Sequence, residues 1–195
     1  MTPPLTLLPL LLLFALLAAA VVHDVRARRI PNAVVFPGML AALALHALLP
    51  AGAGLFGAQP GGLGLASALG GLGLGLAVLM PLYVLRLMGA GDVKLLAMVG
   101  AFVGAGQILA VGLCTLMAGG VLALVFAAWQ RKLRALVGNA GRMALHGGLS
   151  ALAGDLNGFV AAPDAASGRL PYAIAIATAS AGCALWLHVG GELPL

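Results

Sequence analysis

Five acidic residues occur in this 195-residue chain, and two of them stand in unusual surroundings. Asp24 closes an apolar run in AAAVVHDVRARRIPN, and Asp92 follows two glycines in MGAGDVKLLA. Two carboxylates brought together do not both ionise easily. They share a proton, so one acts as base and the other as acid. Such a pair can activate a water against a peptide carbonyl and then protonate the leaving amine, with no covalent intermediate. Gly89 and Gly91 are expected to turn the backbone tightly beside Asp92 and to let a substrate strand approach.

The elements that would position these residues follow from composition. The chain is 63% hydrophobic and 8% charged, with a mean hydropathy of +1.13. A soluble domain carries about a quarter charged residues, so this one lacks the polar groups to cover its surface. Continuous apolar runs, with no alternation of period two, exclude a β-barrel and predict an all-α, polytopic membrane protein. The spacing predicts six spans: Leu5 to Val22, Ala33 to Leu49, Leu63 to Leu85, Asp92 to Gly104, Ile108 to Trp129, and Leu170 to Val189. They form one membrane-embedded domain over residues 1–195. Gly70, Gly71, Gly73 and Gly75 suit close packing of the third span. The fourth is short and needs a tilted helix or a thinned bilayer. The N-terminus has no basic start before Leu5, which predicts a retained first span, not a cleaved signal.

The basic residues test this layout. Arg26, Arg28 and Arg29 follow the first span. Arg86 and Lys94 flank the turn before the fourth. Arg131, Lys132, Arg134, Arg142 and Arg169 lie between the fifth and sixth. All therefore fall on one side, which the positive-inside rule makes cytoplasmic, with both termini outside. Asp24 ends an inward-running span and Asp92 begins an outward-running one. Both lie at the cytoplasmic edge of the inner membrane, where an ionisable group is a functional candidate by default.

Other readings compete. Asp24 and Asp92 could pair with Arg26 or Lys94 and serve only orientation, as in a non-enzymatic assembly subunit. Paired aspartates could also couple protons to transport, but mid-span positions are nearly all Ala, Leu, Val and Gly. Lys94 points to a different helix face from Asp92 and reads as a headgroup anchor or substrate contact. Cys114 and Cys183 form no CxxC pair, and His23, His46, His146 and His188 are scattered, so no metal site or cofactor is expected. The net charge of +5 reports topology and not nucleic-acid binding. Residues 130–169 form a cytoplasmic loop. Within it RKLRALVGNAGRMALH, Arg131 to His146, suits an amphipathic helix on anionic membrane lipid. Asp155 and Asp164 read as solvated.

The motifs also resemble a known family. HDVRARRIPN is similar to the first aspartate motif of the type IV prepilin peptidases, and GAGDVKLLA to their second, the Gly-x-Gly-Asp motif. LPYAIAIA, Leu170 to Ala177, resembles the Pro-Tyr segment near the start of their last span. The resemblance implies an intramembrane aspartyl endopeptidase that removes the basic leader of prepilin or pseudopilin precursors, generally after a glycine. It implies that Asp24 and Asp92 are catalytic. It implies structural or substrate-positioning roles for Gly89, Gly91, Lys94, Ile30, Pro31, Asn32, Pro171 and Tyr172. Larger members carry a cytoplasmic insert, often with CxxC zinc motifs, and also methylate the new N-terminus. Arg26 to Asn32 is too short for that insert, so the chain resembles the compact peptidases of Flp-type (tight-adherence) pilus systems and of archaeal relatives. Presenilin and signal peptide peptidase share the Gly-x-Gly-Asp motif, but their Pro-Ala-Leu motif is missing here.

Overall fold

The computed structural model describes residues 3–56, 61–85, 87–129, Gly141 and 171–189. Within them lie six helices: α1 (Pro3–Ala27), α2 (Asn32–Leu48), α3 (Leu65–Val84), α4 (Ala90–Val103), α5 (Ile108–Trp129) and α6 (Ala173–His188). They match the six expected runs to within a few residues at each end. Two differences matter. Helix α1 continues through Asp24 to Ala27, so Asp24 stands in a helical turn and not in a loop. Helix α4 starts at Ala90, which puts Asp92 inside its first turn. Arg86, Asp155, Asp164 and nearly all of the 130–169 segment lie outside the described residues.

Among the described residues, three helices are long and apolar enough to cross a membrane: Leu8–Ala27, Leu65–Val84 and Ile108–Phe126. Helices α2 and α6 are shorter apolar helices. Large apolar side chains such as Leu11, Leu40, Met117 and Val121 face outward. An apolar exterior of this kind suits lipid, not water.

The shortest of the described helices, α4, forms the centre. Val93 and every residue from Leu95 to Val103 are buried, and α4 packs against all five other described helices. Close approach depends on glycine. A Cβ on Gly71 would strike the carbonyl oxygen of Gly100, and one on Gly75 would lie 2.7 Å from that of Leu96. Gly70 would meet only the Ala105 side chain, and Gly73 faces open space. The glycines of α3 thus divide into a packed pair, Gly71 and Gly75, and the rest.

The far end of α4 is closed by residues of α2 and α3. Gly104 caps the helix with φ +81°, a conformation that costs glycine little. The last carbonyls of a helix lack partners within it. His46 supplies one: its Nε2–H donates to the Phe102 carbonyl at 3.1 Å, while its Nδ1 accepts from the Leu63 amide at 3.0 Å. Both ring nitrogens are engaged, which fixes the neutral Nε2–H tautomer. His46, scattered by sequence, is therefore a clamp joining α2 and α4 to the segment that leads into α3. His46→Phe removes the partner of the buried Phe102 carbonyl and of the half-buried Leu63 amide. It is expected to cost about 2 kcal/mol, seen as a lower thermal midpoint in detergent. An unchanged midpoint would contradict the clamp.

Candidate active site

The two aspartate motifs meet at the opposite end of α4. Gly89 is the N-cap and Asp92 the third residue of the helix. The Asp92 carboxylate reaches back to accept the Gly89 amide at 3.3 Å. A negative charge in the first turn is favoured by the helix dipole and by the unpartnered amides there. Gly89 has φ −80°, and Gly91 is not among the glycines with positive φ. Neither glycine lies at a positive φ, and the backbone turns tightly here, the Asp92 amide donating to the Gly89 carbonyl at 3.2 Å. Gly91 also supplies room: a Cβ there would lie 3.1 Å from the Cβ of Ile30.

The first motif therefore packs directly on the second. Ile30 covers Gly91. Pro31 caps α2, its carbonyl accepting the Val34 amide at 3.0 Å. Asn32 Oδ1 accepts from Lys94 Nζ at 3.2 Å. The same ammonium lies 5.5 Å from the centroid of the Phe36 ring, within cation–π range. Lys94, read from sequence as a headgroup anchor or substrate contact, has its partners within the protein. It ties α4 to α2.

Asp24 is 7% exposed, and its partner comes from the third motif. The Ala173 amide, first in α6, donates to Asp24 Oδ2 at 3.2 Å. Pro171 and Tyr172 precede it, and the Pro171 carbonyl accepts the Ile174 amide at 3.2 Å. Asp24 lies in the last turn of α1, where the dipole disfavours an anion. The N-terminus of α6 offsets this. The ends of α4 and α6 thus converge on two carboxylates, and the Asp24 charge reaches Asp92. Tyr172 also lies within electrostatic range of Asp92. All ten residues singled out by sequence fall in this one region. The Ala173 amide was not foreseen, because a backbone donor leaves no trace in residue type. The Pro just before an apolar helix was the available sign.

Arg28 is a second unforeseen feature. It has φ +51°, the one positive φ outside glycine among the described residues. Its amide donates to the Asp24 carbonyl at 2.7 Å, closing α1. Glycine or asparagine usually occupies this position, since a side chain there costs roughly 1–2 kcal/mol. The sharp exit it makes leads into Arg29 and Ile30. Arg28→Gly is expected to raise stability by about 1 kcal/mol, read as a higher thermal midpoint in detergent. A fall would mean that the arginine side chain outweighs its backbone cost.

Paired carboxylates at one end of an apolar helical bundle define a class of site suited to hydrolysis. A family model for the type IV leader peptidase family matches residues 11–127. The chain belongs to that family, and its place there is that of a peptidase. The match includes Asp24 and Asp92 and ends before α6. No curated protein matches the chain, and no solved structure does.

Proposed function

We propose that this protein is an aspartyl endopeptidase of the inner membrane that cuts the leader from prepilin or pseudopilin precursors. The observation that carries the reading is the meeting of Asp24 and Asp92 at the ends of α1, α4 and α6, inside the segment matched to leader peptidases. In this reading all six helices cross the membrane, both termini lie outside, and the site faces the cytoplasm. Helix α4, too short to span thick lipid, is shielded by the helices around it.

The ionised aspartate takes a proton from a water held between the carboxylates. The resulting hydroxide oxygen bonds to the scissile carbonyl carbon, and the protonated aspartate gives its proton to the carbonyl oxygen. Collapse of this tetrahedral species breaks the C–N bond. The proton first taken from water passes to the leaving nitrogen, and the proton on the former carbonyl oxygen returns to the second aspartate as the C=O re-forms, so the pair again shares one proton. The leader leaves with a new carboxyl end and the pilin with a new amine. This chemistry requires no cofactor. Ile30, Pro31, Asn32, Gly89, Gly91, Lys94, Pro171 and Tyr172 hold the pair in place or position substrate, and no methyl transfer follows.

Inside-out and right-side-out membrane vesicles holding the protein separate this reading from its rivals. A synthetic precursor from the same genome, added outside, is cut only by inside-out vesicles. Cleavage by right-side-out vesicles would reverse the orientation. No cleavage of any precursor by either preparation would remove the peptidase reading.

A further inference from the structure

The amide that holds Asp24 belongs to a helix whose first turn is seated on α5. Tyr172 lies just before Ala173. Its hydroxyl donates to the Thr115 carbonyl at 3.5 Å. Its Oη, Cζ and Cε2 lie where a Cβ on Gly119 would fall. Thr115 and Gly119 are one turn apart and share a face of α5. Gly119 is buried, whereas its neighbour Gly120 is exposed and a Cβ there would meet nothing within 4 Å. The ring therefore lies in a notch that glycine alone leaves open. An aromatic ring has two side-chain torsions, so displacing it presses on the backbone of Tyr172 and Ala173.

We infer that Gly119 is a positioning residue for the aspartate pair, acting through Tyr172 to set the Ala173 amide against Asp24. Helix α5 thereby joins α1, α4 and α6 as a working part of the site. Its kinetic expression rests on the peptidase reading above; its chemical expression does not.

The test uses the full chain in lipid. Five proteins are compared: wild type, Gly119→Ala, Gly120→Ala, Tyr172→Ala and the Gly119→Ala/Tyr172→Ala double variant. Precursor cleavage gives kcat and KM. A hydrophobic carbodiimide, which adds to a protonated carboxyl, reports on Asp24 through peptide mass. Gly119→Ala is expected to lower kcat by about 100-fold with little change in KM, and to speed labelling at Asp24. Gly120→Ala matches wild type in both. The double variant matches Tyr172→Ala alone, because the collision is gone once the ring is gone. Should Gly119→Ala fail to fold, the double variant still judges the inference by that equality. Wild-type kcat and labelling in Gly119→Ala would overturn it, and so would a double variant worse than Tyr172→Ala. If wild type cuts no precursor, the peptidase reading falls, and the labelling comparison alone decides the role of Gly119.

Discussion

Asp92→Asn and Asp24→Asn each lower leader cleavage by at least about a thousandfold while the protein stays folded. The expectation of an intact fold comes from what asparagine keeps. Its side-chain oxygen still accepts the Gly89 amide at position 92 and the Ala173 amide at position 24. What it loses is the proton that one carboxyl gives and the charge with which the other takes one. Because the two aspartates act as one unit, the double variant is expected to be no slower than either single one. Multiplying losses would mean that the aspartates work independently. A purely structural role predicts the opposite pattern: retained cleavage and a changed thermal midpoint. The measurement is initial cleavage rate at matched protein levels, with thermal melting in parallel.

Gly71→Ala strikes the fold at its tightest point and is the largest stability effect expected. A methyl there meets the Gly100 carbonyl oxygen and comes within 2.7 Å of the Gly104 carbonyl carbon. Both are backbone atoms, and no side chain can rotate away. Helix α3 must leave α4, opening space along the central buried helix. Overpacking costs typically 1–3 kcal/mol, and a backbone collision belongs at or above the upper end, about 3 kcal/mol. Gly73→Ala, two residues on, meets nothing within 4 Å. It is expected to be neutral or slightly stabilising through helix propensity. Thermal melting of both variants in one detergent decides the point. Equal midpoints would show that α3 and α4 do not need this contact.

The helices were legible because apolar runs broken by Gly, Pro and charge mark their ends. The aspartates were legible because a carboxylate is rare in such a chain. The two motifs carried the family, and the family match covers both aspartates. Other features left no such trace. That α4 is the hub was hidden, since its composition resembles that of its neighbours and burial depends on what surrounds it. The packing of Gly91 against Ile30 was hidden, because a glycine serves backbone freedom and close packing with the same letter. His46 looked idle because its partners are backbone groups of Leu63 and Phe102, distant in sequence. The Ala173 amide, the Arg28 turn and the Gly119 notch are likewise properties of backbone and space.

The most direct single measurement is the intact mass of a prepilin from the same genome, co-expressed with wild type or with Asp92→Asn at matched membrane levels. The account predicts loss of the leader with wild type, no added methyl group on the product, and an uncut precursor with Asp92→Asn. Equal cutting by both proteins would contradict it, leaving the carboxylate at the head of α4 a cap and nothing more.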